Sequence, residues 1–152
     1  MTARDRYDSL FKYYGDLFGA DWIYLKAQAR AESDLNPNAK SPVGALGLAQ
    51  FMPKTWAEWK DGTPGIQEIA KDVLDDPRNP ENAIMAQAAY FANLAKHYKN
   101  NYRLVFAAYN WGMGHLDKLI AQEGTDVFEN LVARLPQETK DYVKRIFSFI
   151  AD

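Results

Sequence analysis

Glu32 stands late in an apolar-patterned stretch, and the residues after it could hold its carboxylate in one place. A polar loop carries Asn36-Pro37 and Ser41-Pro42. A glycine-spaced turn follows in Gly44-Ala45-Leu46-Gly47, and the stretch closes on Gln50, Phe51, Met52 and Pro53. A single carboxylate held against a half-apolar wall can do general acid–base chemistry. A free glutamic acid, with a pKa of about 4.3, is mostly ionised at neutral pH and donates protons poorly. Its pKa must therefore be raised. Glu32 falls in the predicted last turn of a helix, where unpaired carbonyls make the local potential negative. That effect is worth roughly 0.3–1 kcal/mol, less than one pKa unit at about 1.36 kcal/mol per unit. Desolvation has to supply most of any larger rise, and Phe51, Met52 and Trp111 are the apolar side chains proposed for the wall. On periodicity alone, the commoner state of a glutamate is a solvated helix carboxylate.

The motif context changes that balance. Glu32-Ser33, Ser41, Gly44-Ala45, Gly47-Leu48, Gln50 and Met52-Pro53 keep a fixed spacing. The stretch resembles the first motif of the lytic transglycosylase family of peptidoglycan-cleaving enzymes. That motif reads Glu-Ser, then Ser-x-x-Gly-Ala-x-Gly-Leu-Met-Gln-x-Met-Pro, and Ala49 stands where the family usually has Met. Residues 107–114, AAYNWGMG, resemble the family's second motif, Ala-Tyr-Asn-Ala-Gly; Tyr109, Asn110 and Gly112 match, and Trp111 replaces the usual Ala. Glu138-Thr139 with Tyr142-Val143 is similar to the third, Glu-Thr-x-x-Tyr-Val. A fainter echo, at Pro80 and Ile84, starts a helix rather than binding anything. The resemblance runs from about Trp22 to Val143.

What the resemblance implies is specific. Glu32 is the sole catalytic acid and base. It protonates the bond between N-acetylmuramic acid and N-acetylglucosamine, then removes a proton from the muramyl C6 hydroxyl. That hydroxyl attacks C1 and closes a 1,6-anhydro ring. Ser41, Gln50, Phe51 and the groups around Met52 line the sugar path. Tyr109 directs a hydroxyl toward carboxylate and sugar, with Asn110 beside it, and Trp111 either stacks on a sugar face or narrows the cleft. Glu138 and Tyr142 reach the cleft in relatives. Bottom-up alternatives stay open. Tyr109 and Trp111 are aromatics of the kind that fill cores. Glu138 suits a helix N-terminus electrostatically while Tyr142 fills the core. The family needs no metal and no cofactor, and the expected partner is the peptidoglycan glycan strand. Most glycosidases use two carboxylates; Asp34, two residues from Glu32, should leave the helix in another direction. A muramidase using water, and a non-catalytic wall-binding or structural domain, are the rival readings; Glu32 together with Tyr109 disfavours the second.

The elements that would position these residues are helical. Tyr7, Leu10, Phe11, Tyr14, Leu17 and Phe18 recur at helical steps over residues 5–18, with Gly19 as a left-handed end. Asp21 can cap a second helix to about Ser33. Leu35 to Leu46 reads as loop, Gly47 to Phe51 as a short helical turn, and Pro53 to Trp59 as a short helix opened by proline. Residues 60–78 are broken by Asp61, Gly62, Pro64 and Gly65, with two helical turns expected at Ile66–Val73 or a short hairpin within 60–75. Asn79-Pro80 opens a long helix with the stripe Ile84, Ala88, Phe91, Leu94 and Tyr98. Segments at Arg103–Trp111, His115–Gln122 and Asp126–Arg134 follow, with Gly112-Met113-Gly114 as an interruption. Pro136 opens a last helix burying Tyr142, Val143, Ile146, Phe149 and Ile150. The fold class is all-α or nearly so, and the resemblance implies a lysozyme-like helical domain with a cleft, residues 1–152 forming one domain.

The bulk properties agree with a packed enzyme-sized domain of 152 residues, 47% apolar and 14% aromatic. A net charge of −2 speaks against nucleic-acid binding and against adsorption to anionic membranes. The absence of cysteine excludes disulfides and thiolate chemistry. His97 and His115, the only two histidines, have no partners at metal-ligand spacing and read as surface positions. No apolar run of about 18 residues exists to span a bilayer. The N-terminal stretch, with Arg4, Asp5, Arg6, Asp8 and Lys12, lacks the apolar core of a signal peptide. The expectation is an enzyme that acts in the periplasm or cell wall without its own leader, as a phage virion-associated or lysis protein would. It is expected to be a monomer unless part of a larger virion assembly.

Overall fold

The computed structural model describes residues 2–60 and 75–151, and the expectations for Ile66–Val73 and for a hairpin within 60–75 fall largely outside them. Among the described residues the fold is all-α: α1 (Asp8–Phe18), α2 (Trp22–Ser33), α3 (Pro53–Trp59), α4 (Pro80–His97), α5 (Tyr102–Trp111), α6 (Met113–Glu123), α7 (Phe128–Leu131) and α8 (Gln137–Ala151). Single 3-10 turns lie at Ala3–Asp5 and Val132–Arg134. Two isolated antiparallel bridges, Lys40 with Leu46 and Leu46 with Phe51, are the extended pairings among the described residues. None of the helices described is long and apolar enough to cross a membrane. The chain forms two compact units, Met1–Ala92 and Asn93–Asp152.

In the first unit α1 packs on α2 through a tight corner. Gly19 takes φ 73° and ends α1, as its sequence position suggested. The α1 stripe is narrower than expected. Phe11 and Tyr14 are buried, but Leu17 is exposed, and the helix proper starts at Asp8 after a 3-10 turn. Asp21 caps α2, its Oδ1 accepting from the Ile23 amide at 3.0 Å. The part of α4 in this unit is buried on every side from Asn82 to Ala89. A one-face stripe therefore understated it, since a helix apolar all round belongs in a core. Two side chains lock α4 in place. Gln87 Nε2 donates to Leu25 O at 3.0 Å and to Gln28 Oε1 at 2.9 Å, and Tyr14 donates its hydroxyl proton to Glu81 at 2.9 Å. Asn79 Oδ1 accepts from the Asn82 amide at 3.0 Å, which makes it the cap that starts α4.

In the second unit α5 is the central helix, with Leu104 to Ala108 buried in succession, and it packs on α6 and α8. Asn101 caps it through the Leu104 amide. The expected three-residue interruption is shorter: Gly112 alone breaks the helix, and α6 resumes at Met113. Its φ of 108° and ψ of 134° are open to glycine and costly for any side chain. From α8, Tyr142, Val143 and Ile146 enter the core, while Phe149 and Ile150 remain half-exposed near the helix end. The Asp126–Arg134 segment is a single α turn followed by a 3-10 turn.

Candidate active site

Glu32 lies half-buried in the last turn of α2. The chain leaves the helix abruptly. Asp34 and Leu35 both take left-handed conformations, with φ 53° and 61°, and the Asp34 amide donates to Arg30 O at 3.0 Å. For leucine this is a strained state, typically worth 1–3 kcal/mol and typical of sites where geometry is enforced from outside. Asp34 is itself exposed and forms the left-handed cap of α2.

The loop after Glu32 is built almost wholly from its own polar groups. Ser33 Oγ lies 3.1 Å from Ala29 O and 2.8 Å from Leu48 O, so one hydroxyl proton ties the end of α2 to the glycine turn. Asn36 Oδ1 accepts from the Asn38 amide at 2.9 Å, closing an Asx turn. Ser41 Oγ accepts from the Ala45 amide at 2.9 Å, and the two residues also pair through Ser41 N–H and Ala45 O. Gln50 stands at φ 51° and turns both amide protons inward, to Ala39 O at 3.1 Å and Gly47 O at 2.9 Å. Gln50 is thus a brace of the loop, with its carbonyl oxygen the group left for a ligand. Left-handed Gly47 and Gln50 also explain why residues 47–51 form a turn with a bridge instead of the expected helical turn. At Gly47, a Cβ would sit 2.0 Å from Pro77 O, so the backbone passes where no side chain fits.

Phe51 was expected at the site wall. It is 2% exposed, with its ring edge-on to Trp56 at 5.4 Å, in a core cluster with Ala49 and Ala86. Its aromatic body supports the loop from beneath. Met52 is 41% exposed and Val43 is 75% exposed, so these are the apolar side chains the loop presents outward. Pro53 opens α3, as expected. Trp56 Nε1 and Lys60 Nζ each donate to Asp75, both at 2.8 Å. These bonds, from Lys60 first and then Trp56, hold the Asp75 carboxyl below its ordinary pKa.

In the second unit the second motif occupies the end of α5. Tyr109 is half-buried, its hydroxyl fully so. Asn110 Oδ1 accepts from Thr139 Oγ1 at 2.8 Å; Thr139 is 1% exposed, so this bond joins the second motif to the third. Sequence reasoning quoted Thr139 within the third motif and gave it no role. Trp111, half-buried, stacks on His115 with ring centroids 5.2 Å apart and planes 15° off parallel. One face of the indole is thus covered by the imidazole. The four-residue spacing of Trp111 and His115 was visible beforehand, but the Gly112 break hid the pairing. Glu138 lies exposed in the first turn of α8, and Tyr142 is 8% exposed. Among the described residues no cluster of three or more His, Asp or Glu side chains is placed to hold a metal ion.

Comparison with known proteins places this geometry in company. The model of the Transglycosylase SLT domain matches residues 9–132. The chain is 33% identical to the soluble lytic murein transglycosylase of Escherichia coli over 149 residues, 95% of this chain and 22% of that protein. It is 32% identical to the peptidoglycan transglycosylase gp16 of Escherichia phage T7 over 145 residues, 86% of this chain and 10% of that protein. The crystal structure of the 70 kDa soluble lytic transglycosylase from Escherichia coli superposes with a TM-score of 0.80 at 31% identity, covering 97% of this chain and 24% of the other. The chain thus spans about a quarter or less of the length of these relatives.

Proposed function

The chain belongs to the transglycosylase SLT domain family, and from that premise we propose that it is a peptidoglycan lytic transglycosylase whose one catalytic carboxylate is Glu32. The observation that carries the reading is the setting of Glu32: last turn of a helix, half-buried, followed by a strained turn and a loop braced by Ser33, Ser41 and Gln50. A loop so held fixes a carboxylate and its surroundings without a second acid. In the reaction, protonated Glu32 gives its proton to the glycosidic oxygen as the bond from C1 breaks. The carboxylate then takes the proton of the muramyl C6 hydroxyl as O6 bonds to C1. No water enters, and the glutamic acid is regenerated.

The remaining roles follow the motifs. Ser41, Gln50 through its carbonyl, and the main chain at Met52 contact sugar, with Phe51 shaping the loop from the core. Tyr109, Asn110 and Trp111, with Glu138 and Tyr142, serve the same substrate from the second and third motifs. One family match spans residues 9–132, which supports residues 1–152 acting as one catalytic domain. The phage relative supports a virion-associated or lysis role at the cell wall.

The test is digestion of purified peptidoglycan followed by mass spectrometry. Muropeptides ending in 1,6-anhydro-N-acetylmuramic acid are expected, each lighter by one water than a hydrolytic product, and Glu32→Gln should abolish them while the protein remains folded. Reducing muramyl ends alone would replace this reading with a muramidase; cleavage retained by the glutamine variant would remove Glu32 from the mechanism.

A further inference from the structure

Within the second unit a pocket of about 430 Å³ opens between the start of α5, α7 and α8. Its apolar floor includes Phe128, Val143 and Phe147, and its rim carries Arg103, Lys140 and Lys144. Asp141 is the one carboxylate lining it, and Gln137 Nε2 already donates to Asp141 Oδ1 at 2.9 Å. Three cations against one carboxylate leave an excess of positive charge. None of the three cations forms an ion pair among the described residues, although Lys26, Lys60, Arg78 and Arg134 all do. Arg103 stands over Phe147 in a cation–π contact, its guanidinium carbon 4.2 Å from the ring centroid. A cation–π contact spends none of the guanidinium's five N–H donors on a hydrogen-bond acceptor.

The pocket is separate from the motif residues on α8. Successive helical residues turn by about 100°. Gln137, Lys140, Asp141, Lys144 and Phe147 therefore gather on one side, and Glu138 and Tyr142 on another.

We propose that this pocket binds an oxyanion, a phosphate or carboxylate, borne on an apolar body about the size of one aromatic ring. The volume falls in the usual range for small-ligand sites, roughly 300–1,000 Å³. Arginine offers a planar fork for two oxygens, and the two lysines add point charges. The aromatic floor takes the apolar body. The proposal does not rest on the glycan-cleavage reading.

Titration of the full chain with phenyl phosphate, followed by backbone amide NMR, tests it. Saturable shifts centred on Arg103, Lys140, Lys144 and Phe147 are expected, with a Kd of about 1 mM or tighter, and weaker binding of inorganic phosphate, which lacks the ring. Lys140→Gln with Lys144→Gln should weaken phenyl phosphate by about tenfold or more, as should Lys144→Glu. Both variants should keep the parent's melting temperature and its wall-cleaving activity. Co-sedimentation with phosphatidylglycerol vesicles, lost in the lysine variants, would make a lipid headgroup the source of the anion. Phenyl phosphate binding without vesicle binding would make it a free ligand. Absence of saturable shifts, shifts centred elsewhere, or unchanged affinity in the lysine variants would overturn the proposal.

Discussion

Gly47 constrains the residues after Glu32 more tightly than any chemistry-bearing side chain does. Its φ is 83°, and a Cβ there would overlap the Pro77 carbonyl at 2.0 Å. Gly19 has a similar φ of 73° but open space around it. The pair separates two costs. Gly19→Ala should lose only the left-handed penalty, about 1–2 kcal/mol. Gly47→Ala adds a backbone collision and should lose about 3 kcal/mol or more. Urea melts of both variants read the difference; equal losses would mean that the segment around Pro77 yields freely. At this scale the sequence named positions and told less about what their side chains touch. The motif spacing pointed to Glu32, Ser41, Gln50 and Asn110. It could not show that Gln50 spends both amide protons on the loop, because that depends on a left-handed φ at a non-glycine residue. Nor could it show Phe51 turned inward, since alternation is lost in a loop and either face was open to it.

Helices were the most legible layer, and their ends followed from recognisable residues: Gly19, Asp21, Pro53 and Asn79 all act where local chemistry puts them, while the cap at Asn101 went unread. The errors have a common cause. A stripe at 3.6-residue spacing describes a helix with one wet side, so it underestimated α4, buried all round from Asn82 to Ala89, and overestimated α1 and α8, whose Leu17, Phe149 and Ile150 are not in the core. The joint between α5 and α8 was not legible, because a threonine hydroxyl and an asparagine carbonyl 29 residues apart carry no pattern. Thr139→Val keeps the shape and removes the donor. With Thr139 buried, it should cost about 1–2 kcal/mol, and a double-mutant cycle with Asn110→Ala should return a coupling of about 1 kcal/mol. Denaturant melts of the two singles and the double check it; additive losses would show the bond to be incidental.

For the molecule as a whole, pH should act from both ends. Asp75, held by Lys60 and Trp56, and Asp76, held by Arg78, have pKa values below the ordinary aspartate range in the folded state; so has Asp5, held by Thr2 and Lys26. A depressed folded pKa gives stability that is present above the unfolded value of about 3.9 and is lost as pH falls through the folded one. Tyr14 is pushed the other way, by burial and then by its bond to Glu81, and Tyr90 by burial and the charge of Glu58. A raised tyrosine pKa gives stability that is present below the unfolded value of about 10 and lost as pH rises toward the folded one. Thermal melts should therefore hold a plateau near neutrality and fall below about pH 4 and above about pH 10. Asp75→Asn should lower the plateau and converge with the parent in acid, and Tyr14→Phe should flatten the alkaline limb; parallel curves at all pH values would reject both assignments. Asp75 has one more consequence. By receiving Trp56 and Lys60 it pins together the two ends of the chain segment between residues 60 and 75. Once both ends of a segment are anchored, lengthening it adds only closure entropy, about 0.6 kcal/mol for each doubling. In evolution, such a clasp is a place where insertions can accumulate and new surface can be tried, while the loop that follows Glu32 inherits none of the change.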